Sequence, residues 1–355
     1  AFIPQVSLAY LPASNFPAAV CTMSSPAMAF ATLPTMASTG TVHGNLSLTA
    51  PAKHSRGFGK SIQLPVALTS MLAVAARDRR RAKAPPIAQM ESRPSAVLTN
   101  SPAETYEELV QAAVNLKNES WQKTFHAALM GGAYVGMACL LSFTLGGNMF
   151  RSYTAQMAVF AALFPVNLLL ILQSGGQLFS GNSATMAMGV LEKKVTLKDL
   201  MRNWSIAFAG NMIGCLLIGV LANYTGILTG GASEMIVSTT MRKCSAEFGP
   251  TLVKGIMCNW LVCMAVWLCT MAKGLGGKMI GAWFPISMFV AIGFEHSVTN
   301  MFLLPAGILS GAPVSVLDVL VKNLIPVTIG NAIAGALVVA VSMSFSFGRL
   351  GKQRN

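Results

Sequence analysis

Within the apolar run 279–310 the sequence sets Glu295 and His296 side by side. An ionisable side chain at the centre of a bilayer costs at least about 2.5–3.5 kcal/mol, so the pair is a functional candidate. Histidine changes charge near neutral pH, and its ring can donate a hydrogen bond or a proton. Glu295 is better suited to fixing broken backbone or an interhelical contact. A second polar cluster, Ser174-Gly175-Gly176-Gln177-Leu178-Phe179-Ser180-Gly181-Asn182, interrupts the run 154–191. Its hydroxyl, Ser180, is expected to face His296 across a pore. Leu178 and Phe179 beside it, with Phe164 and Phe289 a turn or more away, suit a narrow apolar constriction. Asn211, Asn259 and Asn331 are intramembrane amides able to hydrogen-bond between helices. Lys243 falls in a loop before the fourth apolar run.

These residues need helices to hold them in lipid. Of 355 residues, 53% are hydrophobic and 10% charged, against about 25% charged in soluble domains. Six apolar stretches, 124–147, 154–191, 202–229, 251–273, 279–310 and 319–346, read as membrane spans. The second and fifth exceed one straight crossing and carry the polar clusters. Backbone broken at membrane depth has to line a protein cavity or a pore, because lipid satisfies no hydrogen bond. Placing both ends on one side gives that side eleven Lys/Arg and the other five, a positive-inside bias for six spans.

The halves repeat. Val135–Leu141 resembles Val262–Leu268, Phe164-Pro165-Val166-Asn167 resembles Phe284-Pro285-Ile286-Ser287, and Arg202-Asn203 with Gly210-Asn211 matches Lys322-Asn323 with Gly330-Asn331. Three spans per half make the repeat inverted, with a permeation site between the halves near the midplane. The expected fold is an all-α membrane protein of two inverted three-helix repeats.

Other chemistries find little support. The net charge of +13 is spread through short loops and a leader, with no basic and aromatic face for nucleic acid. Seven Cys without a CxxC pair and four scattered His give no metal site. No Walker A loop, GxSxG or HExxH occurs, so neither an enzyme nor a cofactor is expected.

Residues 1–100 are rich in Ala, Ser, Thr, Pro and Met, and hold nine Lys/Arg against Asp78 and Glu91. That composition suits a disordered organelle transit leader. A capping box with Pro at the first helical position, Ser101-Pro102-Ala103-Glu104, opens an amphipathic helix over 101–122, expected at the membrane surface. The transport domain spans 123–347 and a short basic tail, 348–355, follows.

Four stretches carry a family resemblance: FPVNLLLILQSGGQLFSGN (164–182), CNWLVCMAVW (258–267), GFEHSVTNMFLLPAGI (293–308) and NLIPVTIGNAIAGAL (323–337). The sequence resembles the formate–nitrite transporter family over about 120–346. The resemblance implies an aquaporin-like six-span fold, one pore per protomer in a homopentamer, and small monovalent anions moving with protons. It makes His296 the central pore histidine and Ser180 the loop hydroxyl, with Leu178 and Phe179 beside it. It makes Phe164 and Phe289 the constriction aromatics with Val262 opposite, Lys243 the anion-attracting lysine, and Asn259 and Asn331 pore amides. Ser180 stands where Thr is common, and Asn167 where Gly is common. True aquaporins are a poorer match, since neither break contains Asn-Pro-Ala.

The reading is a proton-linked carrier, nitrite ahead of formate, in the plastid envelope, since nitrite is reduced inside plastids. Formate or bicarbonate carriage, a transport-inactive structural subunit and a plasma-membrane location are the alternatives. Fusing residues 1–100 to a fluorescent reporter should send it to plastids in imaging; cytosolic or plasma-membrane fluorescence would refute the leader assignment.

Overall fold

The computed structural model describes residues 98–149 and 151–352; the leader assignment lies outside them. Helix α1 (Pro102–Asn118) begins at the expected cap: Ser101 Oγ accepts from Glu104 N–H at 3.3 Å, and the Glu104 carboxylate accepts from Ser101 N–H at 2.7 Å. Span one is α2 (Trp121–Met149). Span two is α3 (Tyr153–Leu163) and α4 (Val166–Ser174), followed after a break by the half-helix α5 (Phe179–Leu191). Span three is α6 (Leu197–Tyr224), and α7 (Gly230–Cys244) follows it. Span four is α8 (Phe248–Met271). Span five is α9 (Leu275–Ile292), with the half-helix α10 (Ser297–Leu309) beyond its break. Span six, α11, runs Val316–Phe347 and contains π turns at Val319–Leu324 and Ala334–Ala340. The short α12 (Arg349–Lys352) closes the described chain.

Both breaks obey the same local rule. A glycine in the left-handed region ends each helix, Gly175 at φ 77° and Gly293 at φ 85°. A side chain at either position would be strained, so glycine is the stable terminator. The chain then runs extended and restarts as α5 or α10.

Spans one and three pack most intimately. A methyl added at Gly132 would overlap the Asn211 backbone carbonyl, and one at Gly214 would overlap that of Leu129. Small residues let the two backbones approach where lipid supplies no hydrophobic drive between helices.

Three expectations change. The sequence read the segment before span four as a loop, yet 230–244 is a helix and Lys243 sits in its last turn. Its apolar face is too narrow to stand out from periodicity alone. The Phe-Pro pairs are not equivalent: Pro285 lies inside continuous α9, whereas Pro165 lies at the α3–α4 kink. Aligning the breaks at Gly175 and Gly293 offsets them by two residues. Thirdly, α1 does not lay its apolar stripe on the membrane surface. Tyr106, Leu109, Val110 and Ala113 are buried against Met186, Met188, Trp267 and Val339. Protein neighbours cover that face more fully than a bilayer interface would.

The outer end of α1 is tied to the chain's other end through Glu192. Its Oε1 accepts from Tyr106 Oη at 2.7 Å, Ser344 Oγ at 3.0 Å and Arg349 N–H at 2.8 Å. Burial pushes the carboxyl up, but these donors more than offset it and its pKa falls below the usual value. A lowered pKa stabilises the fold above the ordinary carboxylate range and loses that effect only in stronger acid.

Substituting Gly132→Val should cost about 1–3 kcal/mol by overpacking, seen as a lower thermal midpoint in detergent. Gly249→Ala, which meets open space, should leave that midpoint unchanged.

Candidate functional site

The breaks are held open by one hydrogen-bond scheme used twice. Asn211 Oδ1 on α6 accepts from Phe179 N–H at 2.9 Å, and its Nδ2 donates to Ala128 O at 2.7 Å and Gln177 O at 2.9 Å. Asn331 on α11 does the same in the other half. Its Oδ1 accepts from Ser297 N–H at 2.9 Å, and its Nδ2 donates to Gly255 O at 2.8 Å and Glu295 O at 3.2 Å. The backbone N–H of Gln177 reaches Ala127 O at 3.0 Å, as that of Glu295 reaches Lys254 O at 3.4 Å. Each amide therefore caps a half-helix and satisfies stranded carbonyls, which removes the cost of unpaired backbone in lipid.

A second pair of amides supports the first. Asn182 donates to Gln177 Oε1 at 3.0 Å and Asn203 Oδ1 at 2.9 Å. Asn300 donates to Glu295 Oε2 at 2.8 Å and Asn323 Oδ1 at 2.6 Å. Gln177 thus stands for Glu295, and Leu178 for His296. In that register Ser180 corresponds to Val298, so it is not the repeat partner of His296.

His296 is 4% exposed and caps α10: its Nδ1 accepts from Thr299 N–H at 3.2 Å and lies 2.8 Å from Thr299 Oγ1. A backbone N–H aimed at Nδ1 makes that nitrogen the acceptor, which puts the ring proton on Nε2. Nε2 is buried with no hydrogen-bond partner, as are Ser180 Oγ and Asn259 Oδ1. Unpaired buried polar atoms cost about 1–3 kcal/mol each, so such groups stand ready for a polar solute. The amide of Asn259 is engaged, donating to Ser180 O at 3.2 Å, Ser183 Oγ at 2.9 Å and Asn331 O at 2.6 Å.

The aromatics divide. Phe164 and Phe289 are buried edge to face at 6.3 Å between centroids, and Phe289 lies 5.7 Å from the His296 ring. Leu178 and Val262 are buried in the same apolar cluster. Phe179 instead packs edge to face on Trp204 at 5.8 Å and Phe208 at 5.5 Å. It belongs to helix packing, and its contribution at the break is its backbone N–H. The side chain of Asn167 bonds Phe164 O at the kink that carries that ring.

Two cavities flank this constriction. One of about 200 Å³ is lined by Phe160, Phe289, His296 and Thr299, and by the charges of Arg242, Lys243, Lys254 and Glu295. The other, of about 310 Å³, is lined by Leu168, Leu178, Val262, Gln177, Asn182 and Glu119. Lys243 Nζ donates to Glu295 Oε2 at 2.7 Å, with side-chain exposures of 14% and 7%. The same oxygen accepts from Asn300, and from Asn323 at 3.3 Å. Glu295 therefore fixes backbone through its carbonyl and gathers three donors through its carboxylate. Among the described residues no His/Cys/Asp/Glu group could hold a metal ion.

Sequence reasoning passed over Asn203, Asn323, Asn182, Asn300 and Glu119 as site residues. The Arg202-Asn203 and Lys322-Asn323 match was a usable signal for the first two. Nothing local marks Glu119, which becomes part of the site only through the fold.

Residues 103–345 match the family model described as formate/nitrite transporter. A probable formate transporter of Methanothermobacter thermautotrophicus is 37% identical over 68% of this chain and 94% of its own. The nitrite transporter NirC of Escherichia coli is 30% identical over 59% and 78%. A solved pentameric formate channel with formate bound superposes with TM-score 0.58 at 27% identity, over 64% of this chain and 98% of that one.

Lys243→Ala should leave the Glu295 carboxylate buried without its cation, a loss of about 3–5 kcal/mol. Thermal unfolding of the purified protein should show the drop, and Lys243→Met combined with Glu295→Gln should recover most of it.

Proposed function

Because the chain belongs to the formate/nitrite transporter family, we propose that it carries small monovalent anions together with a proton, nitrite ahead of formate. The observation that supports this is the His296 ring, whose Nδ1 is occupied as an acceptor and whose Nε2 is buried and unpartnered. Protonating Nδ1 would set two donors against each other, so the ring acts as a neutral hydrogen-bond donor. The cation next to it, Lys243, is already paired with Glu295. A bare anion at the Phe164–Phe289 constriction would therefore lose its water and meet only neutral groups, at a large desolvation cost. The same anion carrying a proton is an uncharged acid and avoids that cost.

The cavity before the constriction favours capture of the charged form. Three cations against one carboxylate line it, and a cleft of one sign raises the local concentration of the opposite ion. The anion gathers there, takes a proton from solution, and crosses as the acid; Nε2–H and the Ser180 hydroxyl receive its oxygens. The preference for nitrite over formate rests on the Ser-rich, acid-poor leader, which suits a plastid envelope. A homopentamer is the proposed assembly, after the pentameric channel of similar fold.

Uptake of nitrite, formate, lactate and bicarbonate into proteoliposomes under an imposed pH gradient tests the reading. Nitrite and formate uptake should saturate and rise as external pH falls from about 7 to about 5, the acid fraction growing with it. His296→Asn keeps a side-chain donor and a good helix cap, so it should fold normally while its pH dependence or selectivity changes. No uptake above empty liposomes would refute transport.

A further inference from the structure

The inverted repeat gives the two cavities matching backbones but opposite polarity of charge. Gln177 occupies in one half the place that Glu295 occupies in the other, as their shared asparagine partners show. At Glu295 the outer partner is a cation, the Lys243 ammonium at 2.7 Å. At Gln177 the outer partner is an anion: Gln177 Nε2 donates to Glu119 Oε2 at 2.7 Å. A carboxylate thus stands where the other half presents an ammonium.

Glu119 is the one charged side chain lining its cavity among the described residues, against three cations and one carboxylate in the other. The other Glu119 oxygen pairs with Lys123 at 2.9 Å, but that lysine is 70% exposed while Glu119 is 17% exposed. Lys123 does not line the cavity, so the charge that does is the Glu119 carboxylate. Arg202 directs its guanidinium to the backbone carbonyls of Lys117 and Glu119 rather than to the carboxylate. Repeat symmetry would allow Gln177 to carry a charge; instead its amide donates to Glu119 and accepts from Asn182, orienting the carboxylate over the cavity.

We propose that Glu119, oriented by Gln177, is a specificity-determining residue: it opposes entry of free anions from the α1 face while leaving uncharged acid unaffected, so the two mouths are unequal. This rests on the transport reading above and adds a direction to it.

Labelled-formate flux into and out of proteoliposomes, with formate on one face at a time and orientation read from a protease-accessible tag, decides it. At about pH 7 nearly all formate is anionic. The wild type should need a higher half-saturating formate concentration at the α1 face than at the Lys243 face. Glu119→Gln should lower the α1-face value about threefold and leave the other face unchanged, while Glu119→Asp keeps the asymmetry. Should Glu119→Gln fail to assemble, the wild type still answers: the difference between faces must shrink as sulfate salt is raised. Glu119→Gln values equal to wild type, or shifted alike at both faces, would overturn the assignment, as would a salt-independent asymmetry. Equal faces in the wild type overturn it alone; no flux from either face overturns the transport reading together with it.

Discussion

Every part of this structure answers to the need to hydrogen-bond backbone that stops being helical inside a membrane. Two chains of residues leave the α conformation at depth, and each is repaired by a single asparagine reaching across from the span that follows. Asn211 and Asn331 each take one N–H and give two. Remove that service and the half-helices α5 and α10 lose their starting points, and with them the placement of Ser180 and His296. The glycine terminators and the glycine-lined contact of α2 with α6 follow from the same need, because the repairing amides work only at close range.

That constraint also explains how the site can be polar and dry together. The backbone scheme consumes the amides of Asn211 and Asn331 completely and fixes the His296 tautomer through Thr299. The groups left without a partner include the His296 ring N–H, the Ser180 hydroxyl and the Asn259 amide oxygen. The ionic groups are set back, in the two cavities rather than at the narrowing.

The six spans, both breaks and the capped start of α1 were legible because each depends on local signals: apolar length, glycine with polar residues, and a Ser-Pro-x-Glu start. The offsets linking Val135 to Val262 and Asn211 to Asn331 were legible too, since the same hydrogen bonds recur at Ala128 and Gly255. The Phe-Pro match was misleading because apolar helices share vocabulary and only the breaks fix register. Helix α7 escaped notice for want of hydropathy. The covering of α1, the retreat of Phe179 into helix packing and the arrival of Glu119 beside Gln177 depend on contacts between distant segments. No window of sequence contains them.

The attachment of α1 has a consequence for how the chain is made. Helix α1 precedes all six spans, yet the surfaces that receive it come from α5, α8 and the end of α11, and its Tyr106 shares Glu192 with Ser344 and Arg349. During synthesis its apolar stripe emerges long before those partners exist. The α5 and α8 surfaces follow first, so the stripe waits on the sixth span only for Val339 and for the Ser344 and Arg349 partners of Glu192. The seat of α1 is thus completed only with the sixth span, and a chain cut short of residue 339 would hold α1 against α5 and α8 without its tie to Ser344 and Arg349.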